Sequence, residues 1–160
     1  LSFEFTARRR QDIDMIALLA SAEKSKQINP ALAFYYADDL PVFATSLVNQ
    51  DNQTKINNLD LNGIRFCDMP WKLNPQAPFE TQIHQTWPEA QGPLGGLFAL
   101  GLDAFNIVPR LRMLREMPDT PFYGLTGALT MDQQTVIRHL MWGIFEKGQV
   151  TSLPIVSESI

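Results

Sequence analysis

An α/β domain, with a parallel sheet flanked by helices, is the fold class that three features of the sequence predict. A short apolar run, Asp14 to Ala20 (DMIALLA), leads into a helical pattern and then a second apolar run, Leu40 to Thr45 (LPVFAT). Strand, helix and strand within about 35 residues is the right-handed crossover unit of a parallel sheet. A third run, Gly63 to Trp71 (GIRFCDMPW), continues the series after a turn signal at Asn62-Gly63. The 160 residues are 45% hydrophobic and 19% charged, enough apolar material for a real core and too little charge for a disordered chain.

DMIALLA reads as a central strand buried on both faces. Ser21 follows as an N-cap and opens a helix toward Tyr36, with Lys24 at the third helical position ruling out a capping box. Pro30 predicts a kink or a fresh helical start at PALAFYYA. LPVFAT carries its proline near the strand's opening, where a strand tolerates it. Asn49 to Asn62 is rich in asparagine and reads as a loop or a weak short helix. In the third strand Ile64, Phe66 and Asp68 alternate with Arg65 and Cys67. KLNPQAP is loop, and Phe79 to Trp87 spaces Phe79, Ile83 and Trp87 along one helical face. A long helical stretch from about Leu94 to Arg115 places Leu97, Leu100, Ala104, Ile107, Val108 and Leu111 on an apolar face. Pro109 should kink or divide it, and Arg110, Arg112 and Arg115 favour the negative end of its dipole. Phe122 to Asp132 reads as a strand with glycines and a turn, while QTVIRHLMWGIFEKGQV fits either a short helix or an amphipathic strand.

The formal charge of −4 and pI near 5.1 oppose general nucleic-acid binding, so Arg8, Arg9 and Arg10 form a local basic block on an acidic body. Cys67 is the only cysteine, which excludes an intrachain disulfide and a thiolate metal cluster. No apolar run approaches the roughly 18 to 20 residues of a spanning helix. The chain starts without the charged and apolar segments of a signal peptide, so any targeting segment is expected upstream of Leu1. His84 and His139 lie in no metal-spacing motif, and Cys67 reads as an inert core residue. Ser46 lacks the G-x-S-x-G elbow of an exposed nucleophile, and no phosphate-binding glycine loop is present. Asp12 with Asp14, and Asp38 with Asp39, mark strand or turn boundaries. No catalytic residue, metal or cofactor is expected.

Several unusual strings occur in a fixed order: RRRQDIDMI, INPALAFYYADDLPVFATS, LNGIRFCDMPW, LFALGLDAF, GLTGALTMD and IRHLMWGIFEKGQ. In order and spacing they resemble the LppC lipoprotein family of penicillin-binding protein activators, over nearly the whole chain. The resemblance implies a type I periplasmic-binding-protein-like fold, two lobes of parallel sheet flanked by helices, with only its later part present. Residues from about 1 to 90 would lie mainly in one lobe, about 91 to 121 would form a helix returning to the other, and about 122 to 160 would cross back. The implied protein is periplasmic and held at the outer membrane by a lipid anchor outside these residues. Its implied function is noncatalytic: it binds and activates a bifunctional class A penicillin-binding protein in peptidoglycan synthesis. The opening strands of such a fold would lie upstream of Leu1, leaving the Leu97, Leu100, Ile107 and Leu111 face without a sheet to pack on.

In an open parallel sheet ligands gather beyond the carboxyl ends of the strands. That rule places Ser21 and Ala22, after the first strand, and Thr45 and Ser46, after the second, at an interlobe cleft. Arg8, Arg9 and Arg10 fall at the opposite end, where they either meet solvent and acids such as Asp12 or offer a partner surface. Two functional classes follow: a regulator that docks through an exposed face, and a solute-binding or sensing domain that closes on a small ligand in the cleft. Few charged residues fall at the predicted strand ends, which favours the regulator.

Overall fold

The computed structural model describes residues 11–49, 56–74 and 78–154. In chain order its strands are β1 (Ile16–Leu18), β2 (Val42–Ala44), β3 (Arg65–Asp68), β4 (Phe122–Tyr123), β5 (Ala128–Asp132), β6 (Thr135–His139), β7 (Met141–Glu146) and β8 (Gln149–Ser152). The α-helices are α1 (Ala22–Phe34), α2 (Pro70–Leu73), α3 (Pro78–Thr86), α4 (Gly95–Ile107) and α5 (Leu111–Glu116). The chain forms two compact units: one runs up to Phe66 and adds Ile144–Val150, and the other takes Cys67–Gly143 and the chain from Thr151. The backbone therefore passes between units at Phe66/Cys67, Gly143/Ile144 and Val150/Thr151. Arg8, Arg9 and Arg10 lie outside the described residues.

In the first unit, β1 pairs with β2 in parallel, Leu18 opposite Ala44, and β2 pairs with β3 in parallel, Phe43 opposite Arg65. The sheet order is β1-β2-β3-β7-β8, with β7 and β8 joined by a tight turn at Lys147 and Gly148. Both turn residues have positive φ, +51° and +74°, the signature of a two-residue hairpin turn whose twist matches its strands. The expected burial of the first strand on both faces does not hold. Among the described residues β1 is the outermost strand of its sheet, and Leu18 is buried while the flanking Met15 and Leu19 are 60% and 80% exposed. The core of this unit is Ala22, Val42, Val48, Leu61, Ile64, Phe66 and Phe145, with the Phe66 and Phe145 ring centroids 5.0 Å apart.

Pro30 neither breaks nor restarts α1, which runs through it to Phe34. Beside it, Asn29 donates from Nδ2 to the carbonyls of Asp60 and Asn62, at 2.8 and 3.1 Å, and ties the helix to the chain entering β3. The asparagine-rich stretch from Asn49 to Asn62 forms, where described, a short 3₁₀ segment at Ile56–Leu61, and another, Ser46–Val48, precedes it.

In the second unit, β4, β5 and β6 form an antiparallel sheet, with Phe122 opposite Leu129 and Thr130 opposite Ile137. The closing segment that fits either helix or strand is all strand: β6, β7 and β8, rich in the β-branched and aromatic residues a pleated surface accommodates. One cluster packs Trp71, Ile83, Ala90 and Ala99 with Met69, Phe98, Leu102 and Leu125. A second packs Ile107, Leu114 and Leu129 with Leu111, Phe122 and Met131.

The long helical stretch divides at Pro109, as expected, into α4, a 3₁₀ turn at Val108–Arg110 and α5. Its expected apolar face is corrected, however. Ala99, Asp103 and Ile107 form the buried stripe of α4, while Leu97, Leu100 and Val108 are 64%, 48% and 64% exposed. Ile107 and Leu111 thus belong to the packed side and Leu97 and Leu100 to the open one.

Candidate functional site

Adjacency of β1 and β2 brings the expected cleft residues to one edge of the sheet. Ser21 follows Leu18 and caps α1 in an extended conformation (φ −67°, ψ 162°). Thr45 follows Ala44 and caps the next 3₁₀ turn likewise (φ −87°, ψ 171°). Neither hydroxyl makes the hydrogen bond to a following backbone N–H that its capping position allows. Instead the Ser25 hydroxyl donates to the Ser21 carbonyl at 2.8 Å, and Thr45 Oγ1 is buried without a hydrogen-bond partner among the described residues. Ser46 is exposed at the start of the 3₁₀ turn. Ala22 is corrected: it is fully buried, because the first turn of α1 packs that methyl into the core, and it offers a ligand no side-chain surface.

In the second unit the chemistry centres on Asp103, to which the sequence alone assigns no role. Asp103 is 3% exposed on the buried stripe of α4. The N–H of Leu125 donates to its Oδ1 at 2.8 Å, and the N–H and hydroxyl of Thr126 donate to its Oδ2, both at 2.7 Å. Bonds to an ionised acceptor are among the stronger protein hydrogen bonds, so this carboxylate clamps the turn between β4 and β5 onto α4. The approach is close enough to require glycine at 124, where an added Cβ would lie 2.5 Å from Asp103 Oδ2. Across the same turn the N–H of Gly124 donates to the carbonyl of Gly127 at 2.9 Å, and Gly127 has φ +151°. Two signals were in the sequence: one carboxylate inside LFALGLDAFNIV, and the paired glycines of GLTG downstream.

A cavity of about 450 Å³ opens beside the clamp, lined by Trp71, Asn74, Asn106, Arg110 and Tyr123 among others. Trp71 is held by its backbone N–H, which donates to the Leu125 carbonyl at 2.9 Å, and by an edge-on contact with His84 at 5.5 Å. Arg110 is committed to its neighbours: it donates to the Asn106 carbonyl and its guanidinium lies 4.8 Å from the centroid of the Phe122 ring. His139 meets the Thr130 hydroxyl at 3.1 Å on the exposed side of the antiparallel sheet. Among the described residues no three His, Cys, Asp or Glu side chains converge as metal ligands. Burial, with Asp68 adding to it, pushes the Cys67 thiol up, away from the thiolate form a nucleophile needs. Among the described residues no helix is long and apolar enough to cross a membrane.

Comparison with known proteins assigns the chain. A family model described as "LppC putative lipoprotein" matches residues 2–148. The chain belongs to the LppC lipoprotein family. Its curated relatives include the penicillin-binding protein activator LpoA of Photobacterium profundum, 28% identical over 155 residues, a match covering 94% of this chain and 25% of that one. The LppC chain thus spans about a quarter of the length of the curated relatives it matches. Among solved structures it is similar to the LpoA (YraM) C-domain from Haemophilus influenzae, titled a regulator of PBP1A, with TM-score 0.75 and 22% identity. That match covers 91% of this chain and 46% of the C-domain. A "putative branched-chain amino acid ABC transporter" from Chromobacterium violaceum matches with TM-score 0.59 and 30% identity, over 82% of this chain and 42% of that one. The fold is periplasmic-binding-protein-like, with less than half of either neighbour's chain represented.

Proposed function

We propose that this LppC chain is part of a noncatalytic regulator of peptidoglycan synthesis that binds and activates a bifunctional class A penicillin-binding protein. The observation that carries the reading is the match to an LpoA activator across 94% of the chain, joined to the likeness to a C-domain titled a regulator of PBP1A. The interior chemistry supports it: the buried carboxylate Asp103 is taken up by hydrogen bonds from Leu125 and Thr126 of the chain's own turn, and burial pushes the Cys67 thiol up, away from the thiolate form. In this reading the complete protein works in the periplasm, held at the outer membrane by a lipid anchor outside these residues. The experiment adds the full-length protein to its cognate synthase and measures glycan polymerisation and peptide crosslinking. Stimulation, with weaker stimulation by the 160-residue chain, is the expected result. Absence of binding by the full-length protein removes the reading.

One observation favours a second reading, a solute-binding or sensing domain. Thr45 Oγ1, buried without a hydrogen-bond partner among the described residues at the same sheet edge as Ser21, whose hydroxyl makes no capping bond, is the kind of polar group a small ligand satisfies. Thermal denaturation against a panel of amino acids and muropeptides separates the two. A ligand that raises the midpoint in the wild type and not in Thr45→Val selects the second reading.

A further inference from the structure

The C-terminal end of α1 carries three consecutive aromatic side chains that stand exposed among the described residues. Phe34, Tyr35 and Tyr36 are 79%, 68% and 64% exposed. The Phe34 and Tyr35 rings meet edge to face, centroids 5.3 Å apart at 89°, so they order each other rather than pack on the core. Tyr36 stands in the left-handed region, φ +58°. Its N–H donates to the Ala33 carbonyl at 3.1 Å, and the N–H of Ala37 donates to the Leu32 carbonyl at 2.9 Å. That is a Schellman-type helix end, where the left-handed residue is most often glycine because a Cβ is disfavoured there. A tyrosine in this place strains the backbone, and its ring is returned to solvent.

Next to the aromatic tip lies an open depression of about 560 Å³, whose lining includes Pro30, Ala33, Leu40, Asp38, Asp60 and Arg65. Asp38 and Asp60 are exposed, and Arg65 is directed over the Phe43 ring at 5.9 Å. An aromatic tip thus adjoins a depression lined by apolar side chains and by aspartates, with Asp38 and Asp60 exposed. Aromatic side chains, tyrosine above all, carry a disproportionate share of binding energy at protein interfaces, and a charged rim selects the partner.

We infer that the Phe34–Tyr36 tip, with its Asp38 and Asp60 rim, is a docking surface for a partner protein that presents an apolar slot bordered by lysine and arginine. The inference rests on the regulator reading above and names the face that meets the synthase. Charge argues for this occupant over a second copy of the chain, since a self-complementary contact would set acids against acids. The same carboxylates disfavour an anionic lipid surface.

The test uses the full-length protein and its cognate class A synthase, with binding measured calorimetrically and folding by thermal denaturation. Tyr36→Gly removes both the ring and the backbone strain, so it should melt no lower than the wild type while weakening binding at least tenfold. Phe34→Ser with Tyr35→Ser should weaken it further, and wild-type binding should fall as salt rises. Synthase binding by Tyr36→Gly and by the double variant equal to wild type overturns the inference. So does wild-type self-association that Tyr36→Gly abolishes while synthase binding is kept. A wild-type protein that does not bind the synthase sinks the regulator reading first, and this surface with it, before any variant is made.

Discussion

Removing the Asp103 carboxylate should be the most damaging single change in the second unit. Three donors converge on it at 2.7 to 2.8 Å: the Leu125 N–H, the Thr126 N–H and the Thr126 hydroxyl. Asp103 and Thr126 are 3% and 1% exposed, so water cannot replace a lost bond without the turn opening. A hydrogen bond to an ionised group contributes about 1.5–3 kcal/mol, and a stranded buried donor costs about 1–3 kcal/mol. The three bonds share one acceptor group and are less than additive, so Asp103→Ala should cost about 4–5 kcal/mol. Thr126→Val deletes only the hydroxyl and leaves both backbone bonds; about 1–1.5 kcal/mol is expected. Asp103→Asn should fall between them, because one of its two terminal atoms becomes a donor facing another donor. Urea unfolding followed by tryptophan fluorescence reads the series, since Trp71 packs in the same unit. Amide exchange at Leu125 and Thr126 gives the local readout. A loss below about 1 kcal/mol for Asp103→Ala, with both amides still protected, would show that the clamp contributes little.

Gly124→Ala places a Cβ 2.5 Å from Asp103 Oδ2, an oxygen that two hydrogen bonds hold in place, and should lower stability by about 2–3 kcal/mol in the same unfolding assay; a neutral result would mean the turn moves freely. Cys67, whose pKa is raised by burial and by Asp68, should react with iodoacetamide at pH 8 more slowly in the folded protein than in urea, and equal rates would refute its protected state. Because that thiol binds its proton more tightly when folded, its contribution to stability is full below the ordinary thiol pKa and is lost as pH rises through the raised value. The 160-residue chain alone should associate reversibly in sedimentation through the open face of α4, where Leu97, Phe105 and Val108 are 64%, 79% and 64% exposed; Phe105→Asp should shift it toward monomer, and a wild type monomeric at all concentrations would contradict this.

Where one face of an element meets the core and the other meets water, the sequence reports the arrangement directly. The alternation of Ile64, Phe66 and Asp68 against Arg65 and Cys67 is read correctly because β3 lies inside the sheet, between β2 and β7, and buries alternate residues. Ser21 and Thr45 were legible as strand-end residues because parallel strands fix which end of the sheet each loop leaves from. Ala22 was not, since the rule that places a loop at a sheet edge does not say which of its side chains turns inward. Asp103 escaped notice for a related reason. Two of its three partners are the backbone N–H groups of Leu125 and Thr126, and backbone donors have no residue type to read; the third, the Thr126 hydroxyl, lies 23 residues along the chain.

The helix α4 shows the limit most clearly. Apolar residues occur on nearly all its sides, Leu97, Phe98, Ala99, Leu100, Leu102, Ala104, Phe105 and Ile107, so no single face stands out by periodicity. The leucines suggest a Leu97–Leu100–Ala104 face. The structure buries Ala99, Asp103 and Ile107 instead, because small residues let α4 approach Trp71, and Asp103 must reach the turn after β4. A helix apolar all round is suited to burial on both sides. The match to less than half of the LpoA C-domain gives the open face its context. Leu94, Leu97, Phe105 and Val108 form one exposed apolar stripe of α4, and the predicted loss of association in Phe105→Asp follows from that stripe.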